Sequence, residues 1–230
     1  MKNKQGFVQI TLLIAIIAGI LVLGGGGYYG LKKYENYQAK EIAGAVNEEI
    51  DSPNILEKET ILPVQWNDLG LQMIKAGVID AEKFESVYTD RGGLNTEERS
   101  LLYGTNNGYL SINEENAGVI LNLLWALGLG NKNEILDSGP MSDPQYGGAE
   151  NFASTGGWTL AQGDTMNHYS RHSFVVLTPD EQKLVERVSK NIYRPCCNNA
   201  THFPDCNHGM AMLGLLELMA SQGISEEEMY

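Results

Sequence analysis

The chain of 230 residues is long enough for one domain of common size and an appendage, and its 43% hydrophobic and 20% charged residues are typical of a globular rather than a disordered protein. The formal net charge of −13 is unevenly spread, because residues 1–40 hold five lysines and one glutamate whereas the rest of the chain is strongly acidic. Such an acidic body excludes nucleic acid and anionic lipid headgroups as expected partners, since both need basic surface.

An apolar segment near the amino terminus predicts a transmembrane anchor over residues 1–31. No charged residue occurs from Gln5 to Leu31, and the most apolar part runs from Phe7 to Leu23. A bilayer crossing needs about 20 apolar residues, so the segment is long enough when the four glycines that follow enter the interface. We expect a single-pass anchor in the membrane with an extracytoplasmic body, because a short basic tail directly before an apolar run is the usual layout of a signal anchor.

Two alternatives to an uncleaved anchor stay open. A cleaved signal peptide needs a small-x-small exit, for which the alanine-rich residues 41–45 are a distant candidate. The stretch KQGF resembles the processing site of prepilins, with Gly6 directly before Phe7. The pilin pattern expects a glutamate at the fifth mature position, where this chain has Thr11.

Polar residues of mixed charge follow the anchor and predict a stalk over residues 32–61, broken near Pro53. The folded domain is then expected at residues 62–230. No internal repeat is visible in this range. The domain organisation is therefore an anchor, a stalk and one folded body.

Four helices are predicted in the first half of this domain from apolar residues at helical spacing and from capping residues. Asp80 is the candidate N-cap of the second helix, and Asn95 is that of the third. Ser111 and Glu114 form a capping-box pattern ahead of the fourth, which is apolar on most faces and is therefore expected to be a buried central helix. The four helices are expected over residues 66–79, 80–88, 95–104 and 111–129.

The sequence from 130 to 177 lacks a clear periodicity and is rich in glycine and short polar residues, which predicts a long loop of a kind that is often functional. A helix over 178–193 follows, with Thr178 as its N-cap and proline at its first position. A last helix is expected to begin near Asn207 and to end at Gly223.

Ser225 and Glu228 form another capping-box pattern only a few residues before the end of the chain. A cap without a following helix favours a domain that is truncated at its carboxyl terminus. Taken together, the predicted fold class is mostly α, with a transmembrane helix, a stalk and a compact helical domain of five or six helices that contains one long glycine-rich loop.

All three cysteines and all four histidines of the chain fall within a short stretch of its sequence, which ends in the run RPCCNNATHFPDCNHGMA. Thiolates and imidazoles are good ligands for transition metals, so this clustering predicts a bound zinc or copper ion. The candidate metal ligands are Cys196, Cys197, His202, Cys206, His208, His168 and His172.

Within this set, Cys206 and His208 are the strongest candidates. Only one of Cys196 and Cys197 is expected to join them, because adjacent cysteines rarely bind one tetrahedral ion together. The fourth ligand is expected from the three remaining histidines. No catalytic residue, substrate or protein partner is assigned by the sequence.

Two functions without a metal ion are also compatible with the run. In a thiol–disulfide redox protein, Cys206 or Cys197 attacks, a neighbouring thiol resolves, and His208 or Arg194 stabilises the thiolate. In a non-enzymatic interaction domain, Cys206 forms a structural disulfide with Cys196 or Cys197, and one thiol is left over.

The motif RPCCNN…FPDCNHGMA, with LLWALGLGNKN and ASTGGWTLAQG upstream, resembles an uncharacterised group of membrane-anchored bacterial envelope proteins. The resemblance extends over roughly residues 62–230. It implies a location at the cell envelope and no particular reaction. Thioredoxin-like oxidoreductases and c-type haem proteins are poorer matches, because both need a C-x-x-C motif that this chain lacks.

Overall fold

The computed structural model describes residues 59–230, so the predicted anchor and nearly all of the predicted stalk lie outside the described residues. The described part is mostly α, as predicted, and about half of it is helical. Six of its seven α-helices correspond to predicted ones with shifted ends, and no helix in residues 59–230 has both the length and the hydropathy of a membrane span. The helices are α1 (Leu69–Ala76), α2 (Ala81–Ser86), α3 (Thr96–Tyr103), α4 (Ala117–Gly130), α5 (Glu134–Ser138), α6 (Pro179–Asn191) and α7 (Asn207–Ser221).

Two strands that the sequence patterns did not predict form a small antiparallel sheet. Strand β1 (Thr60–Asn67) pairs with β2 (Asn107–Ile112). Val64 and Trp66 are buried while their neighbours in β1 are exposed, which is the two-residue alternation of a strand with one face on the core. The predicted helix over 66–79 is therefore wrong at its start, because residue 66 belongs to β1.

The predicted start of the central helix is also wrong, because tertiary pairing overrides the local capping pattern. Ser111 lies in β2, where its hydroxyl donates to the carboxylate of Glu59. Helix α4 begins only at Ala117, after a turn in which the side chains of Asn113 and Asn116 each accept a backbone N–H of the other residue. The start of α4 is thus fixed by an asparagine turn and not by a capping box.

Three predicted helix starts are confirmed. The carboxylate of Asp80 accepts the backbone N–H groups of residues 82 and 83 at the start of α2. Asn95 and Glu98 form a capping box at α3, with both hydrogen bonds at 2.9 Å. Thr178 and Glu181 form a second capping box at α6. These local bonds satisfy N–H groups that have no partner within the helix, so they fix where each helix begins.

The long loop predicted over 130–177 is not structureless. It contains α5 and four short 3₁₀ turns. Trp158 is buried, and its indole N–H donates to the carbonyl oxygen of Val78 at 2.9 Å, so this segment is held on the core. At the carboxyl terminus, the predicted pair Ser225 and Glu228 caps a single 3₁₀ turn.

Helices α4 and α7 form the centre of the core and approach each other through two glycines. A Cβ atom built on Gly128 would lie 2.1 Å from the carbonyl oxygen of Met210, and one built on Gly214 would lie 2.6 Å from that of Leu124. No side chain fits at either position without moving backbone. This close approach places the amino terminus of α7, which carries part of the candidate site.

Gly128→Ala is expected to lower the free energy of unfolding by about 2 kcal/mol, because the added methyl group must separate two packed helices. Urea denaturation measures the change. Gly118→Ala is the matched control in the same helix, since a Cβ atom there meets nothing within 4 Å. That variant is expected to be neutral or slightly stabilising, by up to about 0.5 kcal/mol. Equal unfolding midpoints for the two variants would contradict the close helix contact.

A buried carboxyl group connects α7 to the turn that follows α4. Glu217 is fully buried and accepts hydrogen bonds from the side-chain amides of Asn131 at 2.8 Å and Asn133 at 2.5 Å. The side-chain oxygen of Asn131 accepts a hydrogen bond from the backbone N–H of Val175 at 2.9 Å. Burial raises the pKa of Glu217 to about 8. The hydrogen bonds from the two asparagine amides lower this pKa, but they offset only part of the effect of burial.

Candidate metal centre

The loop that carries the cysteines is organised around a buried arginine. Arg194 is only 4% exposed. Its guanidinium donates to the carbonyl oxygens of Asn199 at 3.2 Å and Phe203 at 2.7 Å, and to the carboxylate of Asp205 at 2.8 Å. Backbone carbonyls that point into a tight loop need donors, and one arginine side chain supplies several of them. Arg194 therefore sets the path of the chain between α6 and α7.

The same guanidinium contacts one of the candidate ligands. Nη1 of Arg194 lies 2.8 Å from Sγ of Cys206, which is the N-cap residue of α7. Burial opposes the positive charge of Arg194, but the hydrogen bond to Asp205 and the nearby thiols outweigh it, so the pKa of Arg194 lies above its ordinary value. A permanently cationic donor is thus held against the sulfur of Cys206.

Three of the seven predicted ligands lie together, with a fourth beside them. The ligand atoms of Cys196, Cys206 and His208 are all within 4.8 Å of one another, and the sulfur atom of Cys197 is within the same distance of that of Cys206 but is not grouped with His208. The sulfur atoms of Cys196 and Cys197 are 3.7 Å apart. This separation is close to the roughly 3.8 Å expected for two thiolates on one tetrahedral zinc ion. Of the two adjacent cysteines, only Cys196 lies in the group that contains His208, whereas Cys197 is grouped with Asp205 and Cys206. That only one of the pair binds the ion stays a prediction.

None of the three cysteines, all of which lie in the described part of the chain, forms a disulfide. Partial desolvation raises the pKa of the Cys196 thiol, and the hydrogen bond to Cys197 and the charge at Cys206 raise it further. Thiols packed this closely resist ionising together unless a cation compensates their charge. The cluster is therefore suited to a bound cation rather than to a set of free thiolates.

Asp205 is a member of the site that the sequence patterns did not single out. Its carboxylate lies within 4.8 Å of the sulfur atoms of Cys197 and Cys206. Both oxygens are already engaged, one by Arg194 and the other by the amide of Asn199 at 2.8 Å. Asp205 consequently supports the loop instead of offering a free ligand atom. The only feature of the sequence that could have indicated this role is the position of Asp205 directly before Cys206.

His168 and His172 are not grouped with the cluster, although the fourth ligand was predicted to be one of these two or His202. Residues 165–167 form a 3₁₀ turn rather than a helix, and the two imidazoles contact each other at 3.1 Å between Nδ1 and Nε2. The backbone N–H of His172 binds the carbonyl oxygen of Gly130, at the carboxyl end of α4. Within residues 59–230, no group of three or more candidate ligand atoms that lie within 4.8 Å of one another includes either histidine.

His202 is also outside the cluster, although it lies in the same run of sequence. Its backbone N–H donates to the carbonyl oxygen of Ser189 at 2.9 Å, which holds the residue against α6. Burial, followed by the charge of Lys190, lowers the pKa of its imidazole. Neighbouring positions in the sequence therefore face opposite sides of the loop.

The arrangement provides two sulfur atoms and one imidazole at one point of the domain, with a third sulfur atom beside them and a cationic donor next to the sulfur of Cys206. Such donors bind a soft or borderline transition-metal ion, and the same thiols are also capable of exchange with a disulfide. No model of a protein family matches this chain, and comparisons with curated proteins and with solved structures likewise find no match.

Proposed function

We propose that the protein is a membrane-anchored, metal-binding domain of the cell envelope that holds one zinc or copper ion between Cys196, Cys206 and His208. The convergence of these ligand atoms within 4.8 Å is the observation that carries the proposal. Thiolates and imidazoles are the usual donors of tetrahedral zinc, and copper(I) accepts the same soft ligands. The envelope location is proposed from the apolar segment of residues 7–23.

The surroundings of the cluster support the same proposal. Metal ligands are usually held in place by a second layer of hydrogen bonds, and removing that layer weakens metal binding. Arg194 contacts the sulfur of Cys206, and Asp205 and Asn199 in turn hold Arg194 and each other. The loop is thus ordered by contacts that do not depend on the ion.

His208→Ala and Cys206→Ser are each expected to weaken zinc binding by at least about 100-fold, since each removes a ligand and not merely a supporting contact. The measurement is a competition titration of the full-length chain against a chromophoric chelator. Elemental analysis of protein purified without added metal ions should first find close to one zinc or copper ion per chain.

His202→Ala is the matched control, because it removes an imidazole from the same loop but not from the cluster. Its zinc affinity is expected to stay within about twofold of that of the unchanged chain. Less than about a tenth of an ion per chain, or equal losses in His208→Ala and His202→Ala, would count against the metal centre.

A thiol–disulfide exchange function is the second candidate, and the contact between Arg194 and Cys206 favours it. In this reaction Cys206 attacks a disulfide of an oxidised partner and releases one partner thiol. Cys196 or Cys197 then attacks the mixed disulfide, so the partner leaves with two thiols and the chain keeps one new disulfide. Two electrons and two protons pass to the partner. Thiols that stay reduced in an oxidising glutathione buffer, once metal ions are removed, would eliminate this candidate.

A further inference from the structure

We propose that the metal centre binds a small neutral molecule that has an apolar body and a single nitrogen or sulfur donor, with the body in an adjacent apolar groove and the donor on the ion. This inference rests on the proposed metal-binding function and adds the class of ligand. The groove begins at Cys196 and His208 and runs between α4 and α7.

The size and lining of the groove fit a small molecule. Its volume is about 370 Å³, and its walls are mainly aliphatic side chains such as Leu121, Leu124 and Leu215. Sites for small molecules typically have volumes of roughly 300–1,000 Å³ with mostly apolar walls and a few polar groups that fix orientation. Burial of a ring or short chain against these walls supplies the binding free energy.

The few polar groups of the groove exclude a charged ligand. No carboxylate or lysine lines it, and the one cationic side chain, that of Arg194, has its guanidinium engaged by the loop carbonyls, Asp205 and Cys206. A charge placed in the groove would lack a partner, which is costly in an apolar environment. The ligand is therefore neutral, and its only strong polar contact is with the ion.

The positions of the cysteines explain how the ion becomes accessible from the groove. Cys196 and His208 both belong to the cluster and line the groove, so an ion between them faces it. Cys197 does not line the groove and lies on the side of Asp205. A zinc ion with three protein ligands keeps one position for an external donor. The donor of the ligand thus takes the fourth position, which Cys196, Cys206 and His208 leave open.

The test uses the full-length chain in lipid nanodiscs, loaded with cobalt(II), whose thiolate charge-transfer absorption reports the ion and its ligands. 4-Phenylimidazole is the probe, and imidazole has the same donor without the apolar body. We expect 4-phenylimidazole to bind about 30-fold more tightly than imidazole, from burial of the phenyl ring. In Leu121→Gln this preference should fall below about threefold while imidazole binding is retained.

Leu184→Gln is the matched control, since Leu184 is also a partly buried helix leucine but lies outside the groove. It should keep the full preference. A normal cobalt spectrum with equal affinities for the two probes would overturn the groove ligand and leave the metal centre intact. Absence of the charge-transfer absorption would overturn the metal centre, and the groove ligand with it.

Discussion

Arg194→Met is expected to lower the free energy of unfolding by about 3 kcal/mol, because it leaves a partly buried carboxylate and several carbonyl groups without their donor. Methionine keeps much of the apolar stem of arginine, so the change mainly removes the guanidinium. That group is almost fully buried and bonds Phe203, Asp205 and Cys206 at 2.7–2.8 Å. Denaturant unfolding of the metal-free chain measures the loss.

Arg187→Met is the matched control for this change. Arg187 pairs with Glu226 at 3.1 Å, but both side chains are about half exposed to solvent. Exposed ion pairs contribute little, so the control should lie within about 0.5 kcal/mol of the unchanged chain. Equal stabilities for the two methionine variants would mean that Arg194 does not hold the loop together. Arg194→Met should also weaken zinc binding by about 10- to 100-fold, since Cys206 loses its supporting contact.

The features of the fold that the sequence predicts correctly are those decided by neighbouring residues. The caps at Asp80, Asn95 and Thr178 depend on groups two or three residues away, and all three are present. The sheet depends instead on the pairing of Thr60 with Ile112, which are far apart in sequence. Ser111 has a capping-box pattern with Glu114, yet its strand pairing determines its conformation. Long-range pairing of this kind leaves no local signal.

In the candidate site, too, the sequence predicts what neighbouring residues decide and misses what distant contacts decide. Cys196, Cys206 and His208 lie close together in the sequence and close together in space, so clustering in the sequence was a sound guide to them. His202 lies between them in sequence, but a backbone hydrogen bond to α6 turns it away. His168 belongs to a segment whose backbone binds the carboxyl end of α4, and nothing in its spacing indicates that position.

The burial of Glu217 is another feature that the sequence does not predict, because the residues around it are those of an ordinary helix. Its neighbours in α7 are apolar, and one exposed acid in such a helix is common. Its burial follows from Asn131 and Asn133, which approach from the turn after α4 and supply two amide donors. The residue is thereby held in a setting that disfavours its charge, with measurable consequences for stability.

Stability is expected to fall as the pH rises through neutrality because of Glu217. Its pKa is about 8 in the folded state against 4.5 for an ordinary glutamate, so the folded chain keeps a proton that the unfolded chain releases between these values. The free energy of unfolding is therefore highest below pH 4.5 for this group and declines up to about pH 8. The whole shift corresponds to about 5 kcal/mol.

Two histidines act in the opposite direction at lower pH. Burial lowers the pKa of both His172 and His202, so they destabilise the folded chain below about pH 6.5, where the unfolded chain takes up protons. The unfolded chain still releases part of these protons above pH 6.5, so the histidines oppose the decline there. They cancel in the difference between the unchanged chain and Glu217→Gln, and this difference in the free energy of unfolding should fall by about 2 kcal/mol from pH 6.5 to 8.

Glu217→Gln should remove this decline. The glutamine amide meets the amide of Asn131 or Asn133 with donor against donor, which costs about 1–2 kcal/mol, but this cost is the same at every pH. The stability of the variant should therefore show no fall from pH 6.5 to 8, while Glu227→Gln, at an exposed position, keeps the slope of the unchanged chain. Denaturant unfolding in the presence of a chelator separates this effect from metal binding. A slope in Glu217→Gln equal to that of the unchanged chain would show that another group titrates, and that the two asparagines hold Glu217 as a carboxylate at neutral pH.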